Sequence, residues 1–295
     1  MQPSVAPLMK GVISHRVTPM NKFEICEKLR DSTYLVSVRQ DDEVVSQGTG
    51  VCINKFGDLL TAAHVVAGRL PVRTNDLVGI SVRGKSESGK TATYSVAVCG
   101  FSINASPHLK EPITFDLAIL KRDVPLTDAS CLELDLTPPR VGLDVMMAGY
   151  SDEVSLPFAF ETNIDMRHPG IAEYQREVKL ALSEMKFSMF KSGMVGRCYR
   201  VTFTDPDLGD ITGHTFYVDN AMHSGASGGP VVDSECNLIG IITQRAITSF
   251  STSENPGAQV PSGSAIAISA YSILEFFDKA RASEQVNVPW SKVST

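Results

Sequence analysis

An all-β fold is what this sequence predicts, and three observations carry the prediction. Short runs rich in β-branched and aromatic residues recur from Ser32 onward, Gly, Asp and Asn clusters punctuate them, and no regular alternation of strand with helix links them. That pattern indicates a barrel or a sandwich rather than a parallel sheet wrapped in helices. The chain has 295 residues, 27 Lys+Arg against 33 Asp+Glu (27 − 33 = −6), 43% hydrophobic and 20% charged residues, enough for one large core or two modest ones. This balance excludes a disordered chain, and no apolar run of roughly 18 residues marks a membrane span. The charge is mildly acidic and spread without a basic stripe, which excludes sequence-independent nucleic-acid binding through clustered Lys and Arg.

Residues 1–31 are mixed in character, with Pro3, Pro7 and Pro19 interrupting regular structure, and are expected to form an arm. A first β set over 32–150 comprises Tyr34–Arg39, Val44–Asn54, Leu59–Ala63, Val78–Val82, Thr93–Phe101, Leu117–Lys121 and Val145–Gly149. Within 151–197 the apolar residues Ile171, Tyr174, Val178, Ala181, Leu182, Met185 and Met189 fall at the spacing of one helix face, which predicts an amphipathic helix over Ile171–Phe190 inserted between two β units. A second β set over 198–270 comprises Cys198–Thr204, His214–Val218, Gly229–Val232, Ile239–Thr243 and Ala265–Ile268. The last segment, 271–295, is expected to hold a helix over Tyr271–Ala282, burying Ile273, Leu274, Phe276 and Phe277, and then a loose tail.

The six cysteines, Cys26, Cys52, Cys99, Cys131, Cys198 and Cys236, stand 26, 47, 32, 67 and 38 residues apart and form no close pair of the kind a zinc site uses, so no metal or other cofactor is expected. The opening residues MQPSVAPLMKGVISHRV lack the apolar core of a signal peptide. Free thiols in a reducing cytoplasm are the expectation.

Chemistry concentrates in three strings. In Gly225-Ala226-Ser227-Gly228-Gly229-Pro230, flanking glycines let the backbone turn sharply, expose a hydroxyl and aim N–H groups at one point. The plain alternative is a Gly-rich turn between strands. A serine hydroxyl is a weak nucleophile and needs a base and an orienting carboxylate. His64, in Thr61-Ala62-Ala63-His64-Val65-Val66, ends a small-residue strand after a turn, where a satisfied core histidine is the competing reading. Asp116, opening the apolar run Leu117-Ala118-Ile119-Leu120, should have a partner, because an unpaired charge is costly to bury. An imidazole N–H would serve; a strand-end Asp capping a turn is the alternative.

Taken together with Gly48-Thr49-Gly50-Val51, these strings stand in the order His, Asp, Ser and resemble the chymotrypsin/trypsin superfamily over about Ser32–Ala282, with 151–197 unmatched. The resemblance implies a chymotrypsin-like double β-barrel with His64 and Asp116 from the first barrel and Ser227 from the second. It implies hydrolysis of protein or peptide substrates through an acyl-enzyme, with the Gly225 and Ser227 N–H groups holding the oxyanion at about 3 kcal/mol per donor. A catalytically silent binding module and an esterase on the same triad are the rival functions.

Departures from the digestive enzymes narrow the branch. Val65 and His223 stand where those enzymes carry disulfide cysteines, and Ala226 replaces the Asp that pairs with a newly cut N-terminus. Arg16-Val17-Thr18-Pro19 also lacks the small residues of such a terminus. Gly48-Thr49-Gly50-Val51, Asp219-Asn220-Ala221 and Gly263-Ser264-Ala265-Ile266-Ala267-Ile268 are similar to the HtrA/Deg-type branch, here expected as a protease domain without a PDZ domain. Viral 3C-like and sobemovirus-like proteases are the nearest competitors. By the same resemblance Ala221 and Met222 form the base and wall of the primary pocket, with Thr243, Gln244 and Arg245 opposite. With no Asp at the base, a small or medium apolar side chain is the expected substrate residue, Arg245 offering the alternative of an acidic one. His223 and His214 are read as surface or turn residues. The 151–197 insertion is expected either to cover the cleft or bind a partner, or to pack as an ornament on the second barrel.

Overall fold

The structure, a computed structural model, describes residues 19–41, 43–103, 108, 110, 113–151, 167–168, 170–173, 187–205, 209–250 and 258–273. Helix α1 (Lys22–Ser32) leads in. Strands β1 (Thr33–Gln40), β2 (Glu43–Cys52), β3 (Leu59–Thr61), β4 (Ile80–Ser86), β5 (Thr91–Ile103) and β6 (Ile113–Arg122) close a first barrel in the order β1-β2-β3-β6-β5-β4, with helix α2 (Ala63–Ala67) after β3. Strands β7 (Asp144–Tyr150), β8 (Ser188–Asp205), β9 (Gly209–Val218), β10 (Pro230–Val232), β11 (Leu238–Phe250) and β12 (Ala258–Ser269) close a second in the order β10-β11-β12-β9-β8-β7. The double β-barrel expected from the sequence is therefore the fold. Both barrels are closed among the described residues, and local register shifts, for example between Ile242 and Gln244, give the strands their bends.

Apolar side chains sort into three cores. One fills the first barrel around Val36, Leu59, Tyr94 and Leu120, and another fills the second around Met147, Phe216, Val218 and Ile242. The third joins them: Leu60, Phe115, Leu117 and Ile119 meet Met146, Ile211, Leu238 and Ile241, with Ile25 and Leu29 of α1 packed into the same cluster. No helix among the described residues is long and apolar enough to cross a membrane.

Four expectations need correction. Residues 22–32 are not part of a featureless arm: Asn21 accepts the Glu24 N–H (3.0 Å) and the Glu24 carboxylate accepts the Asn21 N–H (2.9 Å), a capping box that starts α1 despite Pro19. The boundary at 150 assigns β7 to the first barrel, whereas β7 pairs with β8 and β10 of the second. The inserted helix does not reach Phe190. A helical turn occupies 171–173, residues 174–186 lie outside the described residues, and Ser188 already begins β8. Finally, Ala63 and His64 do not end a strand. β3 stops at Thr61 and α2 begins, ended by Gly68, whose positive φ (72°) suits a helix terminator and whose N–H bonds the His64 carbonyl. Of the C-terminal helix only 271–273 is described, helical as expected; Leu274, Phe276, Phe277 and the tail lie outside.

Candidate active site

Asp116 sits near the start of β6, 5% exposed, two residues before β6 begins its pairing with β3 at Ala118 and Thr61. Its two carboxylate oxygens both serve His64, accepting the backbone N–H at 3.0 Å on Oδ1 and facing ring Nδ1 at 2.7 Å on Oδ2. Two contacts to one residue fix both the start of α2 and the plane of the imidazole. With Oδ2 accepting, Nδ1 carries the hydrogen and Nε2 is left as the ring's acceptor. The His64 side chain is a third exposed (32%). Cys99, behind this pair, has its thiol pushed up to about 12 by burial first and by the Asp116 charge second. The carboxylate thus stands beside an un-ionised thiol and an imidazole.

Ser227 belongs to the second barrel but is held against the first. Its carbonyl accepts the Thr49 N–H at 2.8 Å, and the Gly225 carbonyl accepts the Thr49 hydroxyl at 2.7 Å. On the other side the Gly228 N–H donates to the Ile242 carbonyl at 2.7 Å, and Ile242 N–H donates to Gly229 at 2.9 Å. Gly228 has a φ of 84°, and a Cβ there would overlap the Thr49 carbonyl and the Thr61 hydroxyl and lie 2.9 Å from the Ala62 nitrogen. Only glycine allows this approach of the serine loop to the strand that leads to His64. A Cβ at Gly48 would touch both Val65, next to His64, and the Ser227 carbonyl (3.1 Å), so the serine and histidine segments are neighbours. Among the described residues, the Ser227 hydroxyl makes no hydrogen bond to the His64 ring.

The other expected residues divide in two groups. Ala221 and Met222 precede the serine loop; Met222 is buried in the second-barrel core with Ala226 and Ile242. Thr243, Gln244 and Arg245 follow Ile242 on β11, with Thr243 buried and its hydroxyl 3.4 Å from the Ile266 carbonyl, Gln244 exposed and Arg245 half-buried. The Ile242 bonds to Gly228 and Gly229 bring the two groups to the same loop.

Two contributors escaped the sequence reading. Thr49 was part of a quoted motif, but nothing in Gly48-Thr49-Gly50 says that its hydroxyl faces the serine loop. Lys191 falls in the 151–197 insertion, one residue past the expected helix. On β8 its ammonium donates to the Ala221 carbonyl at 2.6 Å, while Asn220 Nδ2 reaches the Ser192 carbonyl at 2.9 Å and Asp219 Oδ1 accepts the Met194 N–H at 2.7 Å. Those three bonds tether the approach to the serine loop.

Comparison with known proteins gives three results. The model of the trypsin-like peptidase domain matches residues 48–241. Among solved structures, the inactive form of a serine-to-alanine mutant of Rv3671c from M. tuberculosis H37Rv is similar, with 18% identity, a TM-score of 0.50, and 92% of this chain and 98% of that chain covered. The serine endoprotease from Yersinia pestis is also similar, with 16% identity, a TM-score of 0.51, and 91% of this chain and 69% of that chain covered. At these identities the structural likeness speaks for the fold. No curated protein matches the sequence.

Proposed function

Because the chain belongs to the trypsin-like peptidase domain family, we propose that it is a serine endopeptidase in which Ser227 is the nucleophile, His64 the general base and Asp116 the group that orients His64. A peptidase domain takes protein or peptide substrates. The observation that carries the reading is the double contact of Asp116 with His64, at 3.0 Å and 2.7 Å. It sets the tautomer in which Nε2 accepts the Ser227 proton as the hydroxyl attacks a peptide carbonyl. The buried carboxylate then stabilises the imidazolium, which returns the proton to the leaving amine. The Gly225 and Ser227 N–H groups receive the oxyanion, and water on His64 releases the acyl group by the reverse steps.

Cleavage after small or medium apolar residues follows from the pocket proposed for Ala221, Met222, Thr243, Gln244 and Arg245. A fluorogenic peptide panel tests it, and strong preference for Arg or Lys would overturn it. The six free thiols support the proposed reducing, cytoplasmic location. The insertion at 151–197, whose last ten residues are already β8, is proposed to cover the cleft or to bind a partner, tested by deleting 152–186 and measuring peptide turnover and target binding.

The mechanism is tested by labelling with a fluorophosphonate probe and by hydrolysis of fluorescein-casein. Both should be readily measured in the native chain and fall at least about 10⁴-fold in Ser227→Ala, whose melting temperature should stay within about 2 °C. A native chain that neither labels nor cleaves would favour the silent binding module. One that hydrolyses p-nitrophenyl butyrate but not casein would favour the esterase.

A further inference from the structure

Thr49 is fully buried on β2, at the seam between the barrels, and its polar atoms are engaged there. Its N–H donates to the Ser227 carbonyl (2.8 Å) and its carbonyl accepts the Thr61 hydroxyl (2.6 Å). Its hydroxyl meets two groups, the Gly225 carbonyl at 2.7 Å and the Tyr150 N–H at 2.9 Å. The direction of this relay is set by chemistry alone. A carbonyl only accepts and an amide N–H only donates, so the Thr49 hydroxyl accepts from Tyr150 and gives its single hydrogen to Gly225.

The hydroxyl matters because of what it holds. Gly225 has a φ of 87° and, as glycine, little intrinsic preference among neighbouring conformations. Rotation there would swing the N–H groups at either end of Gly225-Ala226-Ser227 away from a common point. The loop is fixed at its far end by the Gly228 N–H on Ile242. At its near end the Ala226 N–H donates to the His223 carbonyl at 3.2 Å, and the Gly225 carbonyl takes the bond from the Thr49 side chain, delivered from the opposite barrel. Tyr150 N–H, by using the hydroxyl's lone pair, keeps the hydrogen aimed at Gly225.

We propose that Thr49 is a positioning residue that holds the Gly225 peptide in the conformation in which the Gly225 and Ser227 N–H groups converge on the developing oxyanion. This role rests on the serine-peptidase reading above. It lies in a side chain that touches no substrate. The contribution should therefore be felt in the transition state and not in substrate binding.

Thr49→Ala and Thr49→Ser, in the full chain, differ by one hydroxyl and form the decisive pair; Thr49→Val adds an isosteric comparison. Fluorophosphonate labelling places a P=O oxygen in the oxyanion site, so its rate reads the loop directly, and casein hydrolysis supplies kcat and KM. Thr49→Ala should label about 10- to 100-fold more slowly than the native chain and lose kcat in parallel, with KM within about twofold. Thr49→Ser should recover to within about threefold of native. Equal labelling by the Ala and Ser variants, or a loss confined to KM, would overturn the role, and so would an unimpaired Thr49→Val. A native chain that does not label overturns the peptidase reading and this role with it, a result seen before any variant is compared.

Discussion

Gly228 is the residue with the least room to change. Its φ of 84° is disfavoured for side chains, and a Cβ would overlap both the Thr49 carbonyl and the Thr61 hydroxyl. Gly228→Ala is expected to cost on the order of 3 kcal/mol in urea unfolding and to lower casein hydrolysis at least about 100-fold, because the serine loop must back away from β3. The buried thiols make a separate prediction. Burial, before any neighbouring charge, pushes Cys52 and Cys99 up to about 12 and Cys236 to about 11 from an ordinary value of 9.0. Below pH 9 folded and unfolded chains hold these protons alike, and stability is fully present. Above it the unfolded chain ionises first, so stability falls from about pH 9 toward 12, by up to about 1.4 kcal/mol per pH unit for each thiol. Urea midpoints measured from pH 8 to 10.5 should decline, and Cys52→Ala should flatten the decline even where it lowers the midpoint.

Among the elements, α1 packs into the core that joins the barrels. Leu29 is fully buried and Ile25 nearly so, both in the cluster that joins the barrels, and the Met20 N–H ties the chain before the helix to the Ser234 carbonyl at 3.0 Å. Leu29→Ala should destabilise by about 2–5 kcal/mol in denaturant unfolding, while Asn21→Ala, which removes only the cap, should cost about 1 kcal/mol. The sequence contained the signal for this helix, an Asn followed three residues later by Glu and then Ile25 and Leu29, but three prolines upstream drew the reading toward an arm. The misread elements have equally physical origins. Met185 and Met189 share a helical spacing with Val178 and Leu182, yet a strand inside a small barrel also admits mixed burial, and Met189 turns out to lie in β8. The strand expected over Leu59–Ala63 stops at Thr61, because Ala63, Val65 and Val66 are buried in the first-barrel core from α2, so packing overrides the strand propensity of the valines. Strand positions were legible because β-branched runs and turn residues are local signals. The barrel to which β7 belongs was not, because pairing partners are chosen by the whole sheet.

At the scale of the molecule, the two barrels share a core, and the candidate site lies on the seam between them. The His, Asp and Ser strings were readable because each is short and their order is distinctive. Thr49, Lys191 and the approach of Gly228 to β3 are relations across the seam, which only folding reveals. Phe115 shows the coupling most directly. It adjoins Asp116, packs at 8% exposure in the shared core, and meets Phe203 edge-on with ring centres 6.1 Å apart. A Cβ at Gly213 of the second barrel would lie 2.7 Å from Phe115 Cε1, and Gly213 has no positive φ to strain. Gly213→Ala therefore changes one thing, the space allowed to the residue beside the Asp116 carboxylate. Pushing Phe115 should cost about 1–3 kcal/mol through overpacking and shift Asp116 relative to His64. Calorimetry should then show one transition at a lower temperature, since a shared core unfolds as a unit, together with a several-fold loss of kcat on casein at little change in KM. Two separate transitions would mean that the barrels are independent. An unchanged kcat with a lowered melting temperature would mean that Asp116 is held by β6 alone and not by the packing between barrels.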